Sequence, residues 1–316
     1  MVNHAKQSDP RQVNERTKLG ERTKLGDSNK LGNVINPGDP IKPGIPSAEV
    51  DLWFIALDQD EARVKHFGET LSDSEQKRAR RFARQRDRAR YVVGRFAMRS
   101  VLSRILNISP KKVALGLNPY DKPGLIDHAK LGFNLSHSGG LAVLALVDGS
   151  LGESSSAQGP CEVGVDIESK QTLTEPETLF KHCLCERELR GLLALSTVEQ
   201  REVFFEIWVR KEACLKALGI GFEVEPHHFD SGWCFRAAGT YSDGSDIVKI
   251  AQRSTTMVSQ LKNIGGALEG LGFDATSADL DEERTIPVSP LHWHGAVALV
   301  DKIPLPRMRR FEFQEG

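Results

Sequence analysis

Residues 161–168 read Cys161-Glu162-Val163-Gly164-Val165-Asp166-Ile167-Glu168. β-branched residues at every second position predict a strand, whose side chains alternate between two faces. Val163, Val165 and Ile167 then point into a core, while Gly164, Asp166 and Glu168 share the opposite face. Two carboxylates two residues apart repel each other, and a hard cation such as Mg²⁺, which favours carboxylate and phosphate oxygens, relieves that repulsion. Gly164, with no side chain, is expected to leave room for a ligand on that face. Taken alone, the pair also fits a solvated strand face.

Downstream, Glu199 to Leu218 has helical periodicity and is closed by Gly219 and Gly221. Trp208, Glu212 and Lys216 are spaced i, i+4, i+8, so an aromatic, an acid and a base fall on one stripe. Upstream, Asn134-Leu135-Ser136-His137-Ser138 precedes Gly139-Gly140 and the apolar run Leu141–Val147, which predicts a loop feeding a strand. Hydroxyls and an imidazole beside glycines suit phosphate or nucleotide. A Ser-His-Asp hydrolase is disfavoured, since adjacent Ser136 and His137 do not face each other and no G-x-S-x-G elbow occurs. Further upstream lie a Lys122-Pro123 element and an arginine-rich run that includes Arg78 and Arg90, residues suited to anions. Val50–Leu57 predicts a strand, Ser72 with Glu75 a helix start, and Tyr91–Leu106 a helix. Trp293–Val300 predicts a last strand. No Walker A or Rossmann glycine fingerprint is present.

The 316 residues amount to roughly two domains' worth of chain, with no apolar run near the ~18 residues of a membrane span. Lys plus Arg number 42 against 43 Asp plus Glu, a balance that excludes a protein coating nucleic acid. No apolar stretch follows Met1, so no secretory signal is expected, and five irregularly spaced cysteines predict reduced thiols in the cytoplasm. The hexapeptide Glu-Arg-Thr-Lys-Leu-Gly occurs at 15–20 and again at 21–26, with a Pro/Gly-rich stretch after it. Such a segment buries too little apolar surface to order itself, so 1–46 is expected to be a disordered tail. Residues 149–160 read as a flexible connection between subdomains, and 253–285 as a poorly packed insertion.

In this order, the basic run, Lys122-Pro123, Phe133-Asn134-Leu135-Ser136-His137-Ser138, Gly164-Val165-Asp166-Ile167-Glu168 and Trp208-Val209-Arg210-Lys211-Glu212-Ala213-Cys214-Leu215-Lys216 resemble the 4'-phosphopantetheinyl transferase superfamily. The likeness is to its surfactin-synthetase-activating type, in the Trp/Lys-Glu-Ala subgroup, and covers about 50–300. It implies an α+β pseudo-dimer of two similar subdomains in one chain, 47–160 and 161–316, with the active site in the cleft between them. It also implies transfer of the phosphopantetheine arm of coenzyme A to a serine of an apo acyl carrier protein or peptidyl carrier domain, releasing adenosine 3',5'-bisphosphate. The pathways served are fatty acid, polyketide or nonribosomal peptide biosynthesis, or lysine biosynthesis.

By that resemblance, Asp166, Glu168 and Glu212 hold Mg²⁺, with Mn²⁺ as the alternative. Glu212 or a metal-bound water deprotonates the carrier serine, and Lys216 assists the leaving phosphate. Arg78, Arg90, Lys122, Ser136, His137, Lys211 and Lys216 contact coenzyme A, and Gly219 and Gly221 let the backbone pass close to it. The chain departs from the family at Glu75, where another basic residue is common, and at Tyr91. A cytoplasmic monomer with no membrane or nucleic-acid partner is expected. The alternatives are a Mg²⁺-dependent nuclease, disfavoured because Glu212 and Lys216 sit on a helix, and a non-catalytic module binding coenzyme A or carrier protein.

Overall fold

The computed structural model describes residues 33–35, 49–148, 162–169, 176–232, 245–251, 254–260, 293–300 and 307–313. All of them belong to the unit Leu31–Gly316. Most of the expected 1–46 tail, the 149–160 connection and most of the expected insertion lie outside the described residues; within the tail, Asn33–Ile35 form a strand paired in parallel with Phe311–Phe313, so the expectation of disorder is corrected at those three residues.

The elements run in chain order β1 (Asn33–Ile35), β2 (Glu49–Ala56), α1 (Glu61–Gly68), α2 (Asp73–Ala79), α3 (Gln85–Leu106), β3 (Leu115–Leu117), β4 (Pro123–Leu125), β5 (Leu131–Ser138) and β6 (Leu141–Asp148). They continue with β7 (Glu162–Ser169), α4 (Pro176–Cys183), α5 (Glu186–Leu193), α6 (Thr197–Leu218), β8 (Ser245–Ala251), β9 (Ser254–Gln260), β10 (Trp293–Val300) and β11 (Arg307–Phe313). One sheet has the order β1-β11-β2-β6-β5 and a second β7-β10-β9-β8, while β3 and β4 form a small hairpin. Each large sheet carries one 22-residue helix, α3 on the first and α6 on the second. The result is the paired α+β architecture expected from the sequence.

Local sequence explains the helix ends. Ser72 caps α2 and Ser196 caps α6, each in a reciprocal capping box with the glutamate three residues on, Glu75 and Glu199. Gly219 closes α6 with φ of 63°, a left-handed conformation that a side chain would strain. The arginine-rich run does not form one helix. α2 ends at Ala79 and α3 begins at Gln85, so the run straddles a break.

Glu75 is the hub of this region. Its carboxylate accepts from Ser72, from Arg95 at 2.7 Å and from Arg99 at 2.7 Å, and Arg99 also donates to the carbonyls of Pro110 and Val113. Burial alone would push its pKa up. Arg95, the Ser72 backbone and Arg99 outweigh that and hold it below the usual carboxylate value. The acid at this position therefore ties α2 to α3.

In the first sheet, Trp53, Ile55 and Leu57 pack with Ala142, Leu144 and Leu146 against Val93, Phe96, Ala97 and Val101 of α3. In the second, α6 lies on β7 and β10 through small residues, Ala213 and Ala217 against Ala296 and Ala298. This close contact overturns one expectation. The spot at Gly164 is not open to a ligand, because a Cβ there would sit 2.1 Å from the Ala213 carbonyl oxygen and 2.2 Å from the Ala217 nitrogen. The glycine makes room for the helix backbone. A second correction concerns 254–260, inside the expected insertion. Those residues form β9, paired with both β8 and β10, as the Thr255-Thr256-Met257-Val258 run favours. Among the described residues, Cys183, Cys185 and Cys214 are free cysteines.

Gly164→Ala is expected to destabilise the protein by about 3 kcal/mol or more, since helix backbone cannot step aside as a side chain can. Urea denaturation of the variant against the parent measures this.

Candidate active site

The site lies where β5, the edge of the first sheet, meets β7, the edge of the second. The two strands are joined by side chains of β5 that meet backbone N–H groups of β7. Asn134, Ser136 and Ser138 recur every second residue and so share one face of β5. Val165 N–H donates to Asn134 Oδ1 at 2.9 Å, Ile167 N–H to Ser136 Oγ at 3.4 Å and Ser169 N–H to Ser138 Oγ at 3.1 Å. Each hydroxyl then donates onward. Ser136 Oγ donates to Asp166 Oδ1 and Ser138 Oγ to Glu168 Oε2, both at 2.8 Å. Two identical relays thus run from backbone N–H through serine to carboxylate. The segment expected as a loop is this strand. Ser, His and Gly signal loops locally, but pairing with β6 along the whole of 131–138 decides the matter.

From α6, Trp208, Glu212 and Lys216 project along one stripe, as their spacing predicts. The Lys216 ammonium donates to Asp166 Oδ1 at 2.5 Å and to Ser136 Oγ at 3.2 Å, and the Trp208 side chain donates to Glu168. Asp166 is 2% exposed. Its second oxygen, Oδ2, and Glu212 Oε1 are buried with no hydrogen-bond partner among the described residues.

The charges respond accordingly. Burial first, then the Asp166 and Glu168 charges, raise the Glu212 pKa to about 7 against the pull of Lys216. Burial and Asp166 also raise that of Glu168. Lys216 would be lowered by burial, but Asp166 and Glu212 outweigh this and raise it. Buried, partnerless carboxylate oxygens with raised proton affinity are a donor set that fits a hard divalent cation. The ligand atoms of the three acids do not all approach within 4.8 Å of one another, as those of Glu225, His227 and His228 do on an exposed turn.

His137 points the other way from its serine neighbours, as alternation requires, into a cleft of about 1110 Å³. Arg78, Arg81, Arg90, Lys77 and Tyr91 line the same cleft, so β5 is the wall between a basic cavity and the acidic site. The His137 ring is exposed. Desolvation by the cleft walls, then the Lys216 and Arg90 charges, hold its pKa below the usual imidazole value.

Other expected residues are placed elsewhere. Lys211 is fully buried, with its ammonium 2.6 Å from Glu188 and donating to the carbonyls of Pro226 and Phe229 at 2.7 Å. One residue along a helix is a turn of ~100°, so the neighbour of Glu212 points away from the site. Lys122 donates to Glu162 and, at 2.9 Å, to the Ala217 carbonyl, which staples the β3–β4 turn to the end of α6. The space over Gly219 is filled by that same Lys122 and by Asn118, whose amide donates to the Gly219 carbonyl at 2.7 Å. Gly221, at φ of 57°, packs against Tyr120. These two glycines serve the hairpin contact. Asn134 and Ser138 were visible as motif letters, and reading 134–138 with period two would have assigned their role.

Two family models match. Residues 59–148 match that of the 4'-phosphopantetheinyl transferase, N-terminal, and residues 162–255 that of the 4'-phosphopantetheinyl transferase superfamily. The chain is 35% identical over 178 residues to 4'-phosphopantetheinyl transferase HetI of Nostoc sp., covering 55% of this chain and 70% of that one. It is 29% identical over 162 residues to 4'-phosphopantetheinyl transferase Sfp of Bacillus subtilis, covering 51% and 65%. It is 30% identical over 172 residues to the L-aminoadipate-semialdehyde dehydrogenase-phosphopantetheinyl transferase of Schizosaccharomyces pombe, covering 53% and 66%. The matched stretch thus spans about two thirds of each relative's length. With both of its large sheets carrying a matched segment and the acid–serine–lysine site at their seam, the chain belongs to the 4'-phosphopantetheinyl transferase superfamily.

Proposed function

We propose that the protein transfers the 4'-phosphopantetheine group of coenzyme A to a serine of an apo carrier protein, with Mg²⁺, and releases adenosine 3',5'-bisphosphate. The observation that carries this reading is the pair of buried, partnerless oxygens on Asp166 and Glu212 beside Lys216, one strand away from a basic cleft. A pyrophosphate bridging the two regions meets a cation on one side and arginines on the other.

The chain's own residues then divide the work. Arg78, Arg90 and His137 bind the nucleotide phosphates in the cleft. Asp166, Glu168 and Glu212 would hold the metal, which would neutralise pyrophosphate charge and so favour in-line displacement. Glu212, on the side of the site facing the acceptor, is the group placed to take the proton from the carrier serine hydroxyl. The serine oxygen forms a bond to the β-phosphorus, and the bond from that phosphorus to the bridging oxygen breaks. The electron pair leaves with adenosine 3',5'-bisphosphate, steadied by the Lys216 ammonium. Ser136 and Ser138 keep Asp166 and Glu168 aimed while this happens. Lys122 and Lys211 act by holding α6 in place. No helix among the described residues is long and apolar enough to cross a membrane.

Incubation with apo carrier protein, coenzyme A and Mg²⁺ is expected to yield a carrier heavier by one phosphopantetheine in intact-mass spectrometry. Asp166→Ala and Glu212→Ala should each lower the rate at least ~10³-fold with the fold retained. No mass gain with several carriers at high enzyme concentration sinks the reading.

A second expectation concerns pH in the metal-free protein. Glu212 has a folded pKa of about 7 against 4.5 for a free glutamate side chain, so ionising it in the fold costs stability as pH rises through that window. Glu212→Gln should therefore raise stability by up to about 3 kcal/mol at pH 8 and by nothing at pH 4. Mg²⁺ should raise the melting temperature of the parent more at pH 8 than at pH 6, and hardly that of Glu212→Gln. Calorimetric scans at the three pH values decide this.

A further inference from the structure

Asp58, in the loop after β2, is not among the residues the family resemblance marks, yet it grips Arg90, one of the arginines lining the basic cleft. Arg90 Nε donates to Asp58 Oδ1 at 2.6 Å and Nη2 to Oδ2 at 2.7 Å, a bidentate pair along one edge of the guanidinium. Nη1 has no hydrogen-bond partner among the described residues, so the other edge, Nη1 with the second hydrogen of Nη2, is uncommitted. Arg90 is 17% exposed and Asp58 50% exposed. A pair half in solvent adds little stability, so its geometry asks for another explanation.

The surroundings fix that geometry. The Leu57 N–H donates to the Gly140 carbonyl at 2.8 Å, which joins the end of β2 to the β5–β6 turn. A Cβ on Gly140 would lie 2.5 Å from Asp58 Oδ2 and 3.6 Å from Arg90 Nη2. The turn therefore presents bare backbone where the ion pair passes over it, three residues from His137.

We infer that Asp58 is a positioning residue: it holds one edge of the Arg90 guanidinium so that the other edge is preset to receive a phosphate of the coenzyme. This inference rests on the coenzyme A reading above. A long arginine side chain otherwise loses much rotamer freedom on binding, and a held one has lost it already. The opposing effect is the Asp58 charge, which repels a phosphate, but its exposure to solvent weakens that repulsion.

The test is isothermal titration of coenzyme A and of adenosine 3',5'-bisphosphate into the protein and its variants. Asp58→Ala is expected to weaken both ligands about tenfold, and Asp58→Glu to restore part of the loss. Asp58→Ala in an Arg90→Ala background should add almost nothing, because the two act as a unit. Gly140→Ala, which crowds Asp58 from beneath, should weaken binding in the same direction. Binding by Asp58→Ala that equals or exceeds the parent would show that Asp58 competes with phosphate, and overturns the inference. So does a full loss that persists without Arg90. A parent protein that binds neither ligand overturns the coenzyme reading itself.

Discussion

Three N–H groups on the outer edge of β7 need acceptors, and the side chains of β5 supply them. An edge strand with unpaired, buried N–H groups costs roughly 1–3 kcal/mol for each one left unmade. Asn134, Ser136 and Ser138 meet that cost without a backbone ladder, and so bring two sheets edge to edge. The same two hydroxyls orient Asp166 and Glu168. Removing either one orphans an amide and releases a carboxylate together, so the stability of the seam and the geometry of the acids rest on shared atoms.

The rest of the site follows from how closely α6 can approach that seam. Small residues at Gly164, Ala213, Ala217, Ala296 and Ala298 let the helix settle on β7 and β10. The approach brings Lys216 onto Asp166 and buries Glu212 beside two further acids. Desolvation then does most of the electrostatic work, raising the proton affinity of Glu212 toward neutrality. Without the close approach, the stripe on α6 would be an ordinary solvated helix face.

Much of this was legible in the sequence because it depends on local period. The alternation in 161–168, the i, i+4, i+8 spacing of Trp208, Glu212 and Lys216, and the Ser72 cap are short-range features. What misled was long-range. Gly164 looked like space for a ligand because nothing in its neighbourhood announces a helix backbone 50 residues downstream. Lys122 and Gly219 were read as coenzyme contacts, though they lie nearly 100 residues apart in sequence and meet each other. Lys211 shares a motif with Glu212, yet helix geometry sends it to Glu188. The pairing of Asp58 with Arg90 had no local signature at all.

One topological detail bears on how the chain reaches this state. β11, at 307–313, lies parallel to and directly beside β2, at 49–56, within the first sheet. A strand made early in synthesis therefore gains this neighbour only after about 250 further residues have been made. Until then one edge of β2 stays open, a template for wrong strands. Closing so long a loop is slow, because its entropy must be spent before any ladder bond forms. The second sheet, with β7 to β10 nearer in sequence, has shorter loops to close. Assembly is thus expected to run from α6 and the second sheet outward, with the first sheet sealed last by β11.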